Sequence, residues 1–445
     1  VPLQLLLLVA PAGAVTRYVA TGGSDAANGC SNPALPCASV QHAVDQATDG
    51  DFIQIAPGVY NQTVRIESRQ DLTLNGFGAT LRPDLATVGP PDADRGSPCS
   101  GSPGRAIVFV RDSTGIVLNG LIVDGSAALM APGETARWAG IYYRSSSGTI
   151  YGASVAHVRT EPASGNQVAG IGIIVQTEPS GVALPRVDVL GVSITDFQKT
   201  GILFTGCGCA AGFGPTGSVV RSTVVSEPSP FVARNGIQVS RGANAVRLER
   251  NLVSGMRFTG NPAAGLGSAI ILASSRDTQV IGNQALDSNF GISNVGLLDA
   301  ACVPRAQENL RNVFRCNEIH GNDTGLSIDN DTSVIKENSF AGNTATPPNG
   351  AALFTRSYYE GNDADATLNW WGSPTGPTNP GNPGGTGDVV DDRVVFSPFL
   401  TAPPLCAAPP TEIPALSPSG LLALGALLSA TALYLLRRQT KTPAA

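Results

Sequence analysis

Charge is scarce in this chain. Only 14% of its 445 residues are charged, and the formal net charge is −6. Without a basic excess the chain has no grip on a phosphate backbone, so no nucleic-acid partner is expected. The shortage of charge does not signal disorder, because 42% of the residues are apolar. Aromatic residues make up only 6%, with 2 Met and 3 His. Between the two ends there is no long hydrophobic run. Glycine is what abounds, at 52 residues, together with small and β-branched side chains. That mixture suits many short strands joined by tight turns, not packed amphipathic helices.

The strands repeat. A glycine followed by alternating apolar residues recurs as Gly140-Ile141-Tyr142, Gly170-Ile171-Gly172-Ile173, Gly201-Ile202-Leu203-Phe204, Gly236-Ile237-Gln238-Val239, Gly291-Ile292 and Gly325-Leu326-Ser327-Ile328. The spacing, roughly 24 to 35 residues, is that of a solenoid. A second apolar strand follows each first one, as in Val246-Arg247-Leu248 and Val280-Ile281. A third closes with Gly-Asn or Ser-Gly, as in Cys316-Asn317-Glu318-Ile319-His320-Gly321-Asn322. Two or three strands per turn, with alternate residues inward, build a β-helical coil. Equivalent residues then stack, so Asn251, Asn283, Asn317 and Asn338 are expected to be structural turn residues that bond to one another. Val40, Ala43, Val44 and Ala47 follow helical spacing after Ser39, a suitable N-cap, with Gly50 as the stop. This short helix would cap the first coil, with His42 as part of it.

The two ends differ from the body. Residues 1–16 read as a signal-peptide remnant, with the apolar run Leu3–Ala10 followed by small residues. A Pro-rich linker at 401–412 leads to Ile413, Pro414, Leu416, Ser417 and Gly420, then an apolar stretch that ends at Arg437-Arg438. About twenty uncharged residues there are long enough for a membrane helix. Arginines at its end would stay cytoplasmic. Eight cysteines in an exported chain suggest disulfides. Cys30 and Cys37 close a short loop and form the best pair, and Cys302 and Cys316 could staple a polar insertion. Cys207 and Cys209 lie too close to pair easily, and no second pair gives them zinc-site spacing.

On these residues the chain resembles known groups. YVATGGSDAANGC and PCASVQHAVDQATDGDFIQIAPGVY, within residues 18–60, look like the opening of bacterial right-handed parallel β-helix proteins of the pectin-lyase-like superfamily. NWWGSPTGP (369–377) and VVFSPFL (394–400) resemble their closing segment, where Trp370 and Trp371 would cap the last coil. Residues 413–445 resemble the IPTL-type C-terminal sorting domain, with Ala415 where Thr is usual. The resemblance implies an all-β fold: a right-handed parallel β-helix over 17–400, a short N-terminal capping helix and a C-terminal hydrophobic helix. It also implies export to the envelope, surface or exterior of a Gram-negative bacterium. The tail would hold the inner membrane until a sorting protease processes it.

The superfamily's architecture does not decide its activity. The Asn-Thr-Asp, Asp-Asp and Gly-His-Gly series of its hydrolases and the Arg-x-Pro-x-x-Arg of its lyases are absent. The pair Asp391-Asp392 falls in the closing segment, and His157 reads as a wall residue. Low Met and His argue against copper delivery. Asp329 and Asp331, alternate residues on a strand, could share a calcium ion, with a polar turn as the plainer reading. Arg137, Trp138, Tyr142, Tyr143 and Arg144 form an aromatic-basic patch suited to an acidic sugar, with Tyr142 and Tyr143 on opposite faces. The leading expectation is non-enzymatic binding of glycans or surfaces, in an adhesin-like or structural role. The alternative is an extracellular polysaccharide lyase or glycoside hydrolase acting on acidic polysaccharide.

Overall fold

A computed structural model describes residues 13–405, apart from 132–135, 161–169, 179–184, 208–213, 262–265, 297–308, 331, 345–352 and 361–362, with the backbone alone at 330 and 353–360. Three long sheets run the length of the body, one of eleven strands and two of ten, and their neighbouring strands pair in parallel. Each full coil gives one strand to each sheet. Arg137–Arg144, Gly148–Tyr151 and Ser154–Ala156 pair with Ile171–Gln176, Arg186–Leu190 and Ser193–Ile194 of the next coil. This is the right-handed parallel β-helix the sequence implied, with three strands per coil.

One ten-stranded sheet, called lateral below, positions the candidate site. Its strands are β1 (Val64–Glu67), β2 (Gly104–Arg111), β3 (Arg137–Arg144), β4 (Ile171–Gln176), β5 (Thr200–Thr205), β6 (Asn235–Ser240), β7 (Ser268–Ala273), β8 (Phe290–Val295), β9 (Thr324–Asn330) and β10 (Leu353–Glu360). On its inner side Val108, Ile141, Ile173, Ile202, Ile237, Ile270, Ile292 and Leu326 stack in register, all fully buried. At about 1.5–3 kcal/mol per buried aliphatic side chain, this column is a large part of the shared core.

The glycine before six of these residues, all but Val108 and Ile270, has a packing cause. A Cβ at Gly236 would lie 2.1 Å from Val253 Cγ1 and 2.5 Å from the Ala269 carbonyl oxygen. Strand pairing skips this position at each step from β3 to β9. The repeated Gly-Ile therefore marks a stacked irregularity where the wall approaches the third sheet.

The asparagines form a ladder inside one turn. Asn251, Asn283, Asn317 and Asn338 each donate from Nδ2 to Oδ1 of the next, at 2.8, 3.1, 2.9 and 3.0 Å, ending on Asn369. All five are fully buried. Each also donates to a backbone carbonyl, for example Asn317 to Val280 at 2.8 Å.

The helix α1 (Val40–Gln46) buries Val40, Ala43 and Val44, and its Ser39 cap accepts from the His42 amide. It packs against Thr16–Val19 and β1. The helix stops before Gly50: Ala47 turns extended and ends it. Cys30 and Cys37 are bonded, and the His42 Nε2 sits 2.8 Å from the Asn28 carbonyl oxygen. At the other end Trp371 stacks on Phe340, with centroids 4.8 Å apart and planes at 12°. Among the described residues no helix is long and apolar enough to cross a membrane. The signal run, Ile413, Pro414, Leu416, Ser417, Gly420, Arg437 and Arg438 lie outside the described residues.

Candidate functional site

The outer face of the lateral sheet changes character along the axis. One column reads Arg65, Phe109, Tyr142, Ile174, Leu203, Gln238, Ile271, Ser293 and Ser327 from β1 to β9. The first half is apolar and forms its own cluster of Ala106, Phe109, Ala139, Tyr142, Ile171, Ile174 and Leu203. Such a patch on an outer face needs a cover, and part of that cover is the segment between Arg82 and Pro103.

That segment crosses β1 to β5, a span of roughly 19 Å at sheet spacing. Asp94 pairs with Arg111 at 2.8 Å, and the carbonyl oxygens of Ala93 and Asp94 accept from Arg144. The Tyr142 hydroxyl lies 3.1 Å from the Gly96 carbonyl oxygen. Cys99 is bonded to Cys207, just past β5 and 108 residues away. The segment is thus a strap, fixed at its far end by a covalent bond.

This placement divides the aromatic-basic patch expected from sequence. Trp138 and Tyr143 point into the core, where the Tyr143 hydroxyl donates to the Ile116 carbonyl oxygen at 3.1 Å. Tyr142 and Arg144 face outward by alternation, and Arg137 joins them because the pattern shifts at Gly140, but Tyr142 is fully buried under the strap. It is therefore not an exposed sugar platform. Burial, relieved in part by Arg137 and Arg144, pushes its hydroxyl pKa up to about 12. Arg144 is held by Glu178 at 2.8 Å.

Cys207, which spacing alone left without a partner, takes Cys99 from a distant coil. Cys316 is disulfide-bonded, but its partner and Cys302 fall outside the described residues. Asp329 is fully buried on β9 and accepts from the Gly296 amide. Asp331 lies outside the described residues. Among the described residues the one group with metal-like spacing is Cys30, Cys37 and His42, and its sulfurs are already joined to each other. Asp391 and Asp392 sit in the closing segment, the second of them exposed.

A second cluster lies at the edge where turns lead into β4, β5 and β6. His157 follows the third-sheet strand of its coil in a left-handed turn conformation, at φ 57°, not in the wall as the alternating pattern suggested. Its Nδ1 is 2.8 Å from Asp124 Oδ1, one coil back, and its Nε2 is 3.8 Å from Asp196 Oδ2, one coil on. Asp196 also accepts from Arg159 Nε at 2.9 Å. Burial would raise the Asp124 pKa, but hydrogen bonds from Ser126 and His157 outweigh it and hold the carboxyl low. An ionised Asp124 can only accept, so Nδ1 is the donor of this pair, and a neutral ring presents its lone pair at Nε2. His157 remains 43% exposed, enough for a solute to reach it.

Next to this set lie two basic residues stacked on adjacent coils. Lys199 Nζ donates to the Ala233 carbonyl oxygen at 2.6 Å. Arg234 donates to the carbonyl oxygens of Gln198 and Glu227 and to Ser226 Oγ. Neither forms an ion pair among the described residues. Burial lowers both pKa values, that of Lys199 down to about 8, while Asp196 and Glu227 oppose the shift at Arg234 and Arg159 adds to it. A cation kept in such a place costs free energy unless something anionic completes it. Sequence reading missed this cluster because Asp124, His157 and Asp196 come from three coils. Aligning Ala156-His157-Val158 with Thr195-Asp196-Phe197 by coil would have put His157 over Asp196.

No protein-family model and no curated protein matches the chain. Solved structures do. It is similar to a GH136 lacto-N-biosidase from Eubacterium ramulus, at 14% identity and a TM-score of 0.53, over 80% of this chain and 67% of that one. The native form of the same enzyme gives 15% identity and a TM-score of 0.50, with the same coverage. A mutant of the periplasmic alginate epimerase AlgG overlaps at 13% identity and a TM-score of 0.42, over 78% of this chain and 76% of that one. At these identities the likeness is one of fold.

Proposed function

We propose that this protein acts on an acidic polysaccharide lying against the lateral sheet, and that it cleaves the chain by elimination at the His157 edge. The observation that carries this reading is an imidazole oriented by a carboxylate beside two partly buried cations that form no ion pair among the described residues. It prefers the enzymatic alternative to the non-enzymatic binding expected from sequence. Carbohydrate-active proteins among the fold neighbours support the same choice of substrate class.

The chemistry follows from the parts. Lys199 and Arg234 would take the carboxylate of a uronic acid residue and so acidify the proton on the neighbouring carbon. His157 Nε2 accepts that proton. The electron pair forms the new C–C double bond as the bond to the leaving glycosidic oxygen breaks, and water protonates that oxygen. Asp124 orients the ring, and Asp196 with Arg159 faces the imidazolium that forms. Glycoside hydrolysis would need a carboxylic acid kept protonated near neutrality. Asp124, the carboxyl that touches His157, is instead held low. Two fully described disulfides suit an oxidising, extracytoplasmic setting.

The test is to incubate the full chain with polygalacturonate, alginate and glycosaminoglycans and follow the ultraviolet absorbance of unsaturated ends. His157→Gln should lower the rate by at least about 100-fold, the usual scale of a general base, with binding retained. New reducing ends without unsaturation would replace elimination by hydrolysis. No product from any of these polymers would return the protein to the binding role.

A further inference from the structure

A further cation without an ion pair among the described residues lies by the strap, at Arg137. This guanidinium sits deep among protein atoms, yet solvent still reaches it. Its Nη1 donates to Gln176 Oε1 at 2.6 Å, and it lies beside the Tyr142 hydroxyl. Five N–H donors thus meet two neutral acceptors. No carboxylate pairs with it among the described residues. Glu178, the acid that approaches this end of the sheet, is taken by Arg144 through Nε and Nη2, both at 2.8 Å. A second guanidinium, that of Arg241, repels Arg137 instead of balancing it.

The surroundings hold the side chain oriented. Gln176 is pinned at both ends of its amide, with Oε1 receiving Arg137 and lying 3.0 Å from the Tyr142 hydroxyl, and Nε2 2.9 Å from Cys99 Sγ. The Cys99–Cys207 bond fixes the strap above it. A planar, immobile guanidinium with spare donors matches the two oxygens of a carboxylate.

The geometry points to Arg137 as a binding site for the carboxylate of an acidic sugar, separate from the His157 edge and distinguishing acidic from neutral glycans. The ligand class rests on the acidic-polysaccharide reading, but the site does not depend on catalysis at His157. In this role the buried charge is kept for recognition and at some cost to the empty protein.

That cost supplies the test. Arg137→Met removes the charge at similar length and leaves the Tyr142 hydroxyl 3.0 Å from Gln176 Oε1. Titration calorimetry with oligogalacturonate, and with a neutral galactose oligomer of equal length as control, would read affinity on the full chain. Arg137→Met should weaken oligogalacturonate at least tenfold and leave the neutral oligomer unchanged. The melting temperature of the empty variant should equal or exceed that of the wild type. Unchanged uronate affinity overturns the site. So does a clear fall in melting temperature, which would make Arg137 a structural strut. Tighter binding of a sulfated galactose oligomer than of oligogalacturonate overturns the carboxylate assignment. If His157→Gln abolishes no turnover but Arg137→Met still loses affinity, the elimination reading fails and this site stands.

Discussion

The asparagine ladder and the basic edge of the lateral sheet are both polar and both buried, yet they are built on opposite rules. In the ladder every amide has its donors and acceptors served, by the coil before, the coil after and the backbone. Along the lateral sheet, Arg137, Lys199 and Arg234 are partly buried, donate to neutral acceptors and form no ion pair among the described residues. Satisfied buried amides specify structure, since each one left unmade costs about 1–3 kcal/mol. Unbalanced buried charge does nothing for stability, so its presence asks for another reason. The contrast separates the part of this solenoid that holds it together from the part that meets something else.

The largest effect expected is on the strap. Replacing both Cys99 and Cys207 by Ser removes a link between residues 108 apart. In the chain-entropy description that link is worth roughly 5 kcal/mol. Chemical denaturation should show a loss of that order, and hydrogen exchange should rise at Gly96 and in the Phe109–Tyr142 region. A loss below about 1 kcal/mol would mean that the ion pair to Arg111 and the hydrogen bonds from Arg144 hold the strap unaided. The comparison would then lose its claim that the covered half is covalently closed.

Asn317→Ala comes next. It strands the Asn283 amide N–H, which now donates to Asn317 Oδ1 at 2.9 Å, and the Val280 carbonyl oxygen. With the Asn283 Nδ2 donor of the ladder also left unmet, three unmade buried bonds and a small void should cost about 3 kcal/mol or more, read as a lower denaturation midpoint. Uronate binding at Arg137, several coils away, should stay intact. Equal stability in the variant would show that water replaces the amide and that the ladder is not a strut.

Much of this was legible in the sequence where cause and signal lie within one coil. Gly236-Ile237 repeats because one residue packs close and the next fills the core. Asn317 recurs because its neighbours above and below are also asparagine. The cap at Ser39 and the Cys30–Cys37 bond are local too. The rest depends on what stacks on what. Tyr142 looked available because nothing in its own strand says that residues after Arg82 lie over it. Cys99 gave no sign of Cys207. His157 alternates with its neighbours like a wall residue, and only the left-handed turn at that position swings it towards Asp124 and Asp196.

The smallest effect separates the two rules most directly, because it changes charge without changing packing. Burial holds the Lys199 pKa at about 8 in the folded protein, against about 10.4 in an unfolded chain. Below pH 8 both states carry the proton, and the folded state bears the full penalty of the buried charge. Between pH 8 and about 10.4 the folded protein has released the proton while the unfolded chain still holds it. The unfolded state then binds more protons, so this residue makes stability rise with pH across that window. Acidic-glycan affinity should move the other way, falling as pH passes 8 and the ammonium that meets the carboxylate disappears. Lys199→Met should flatten both trends, with slightly higher stability near neutrality and weaker, less pH-dependent binding. Denaturation and titration at pH 7, 8 and 9 on wild type and variant would read the two together. A Lys199→Met protein that is less stable at pH 7, with unchanged affinity, would put Lys199 with the ladder as a structural group held by the Ala233 carbonyl oxygen.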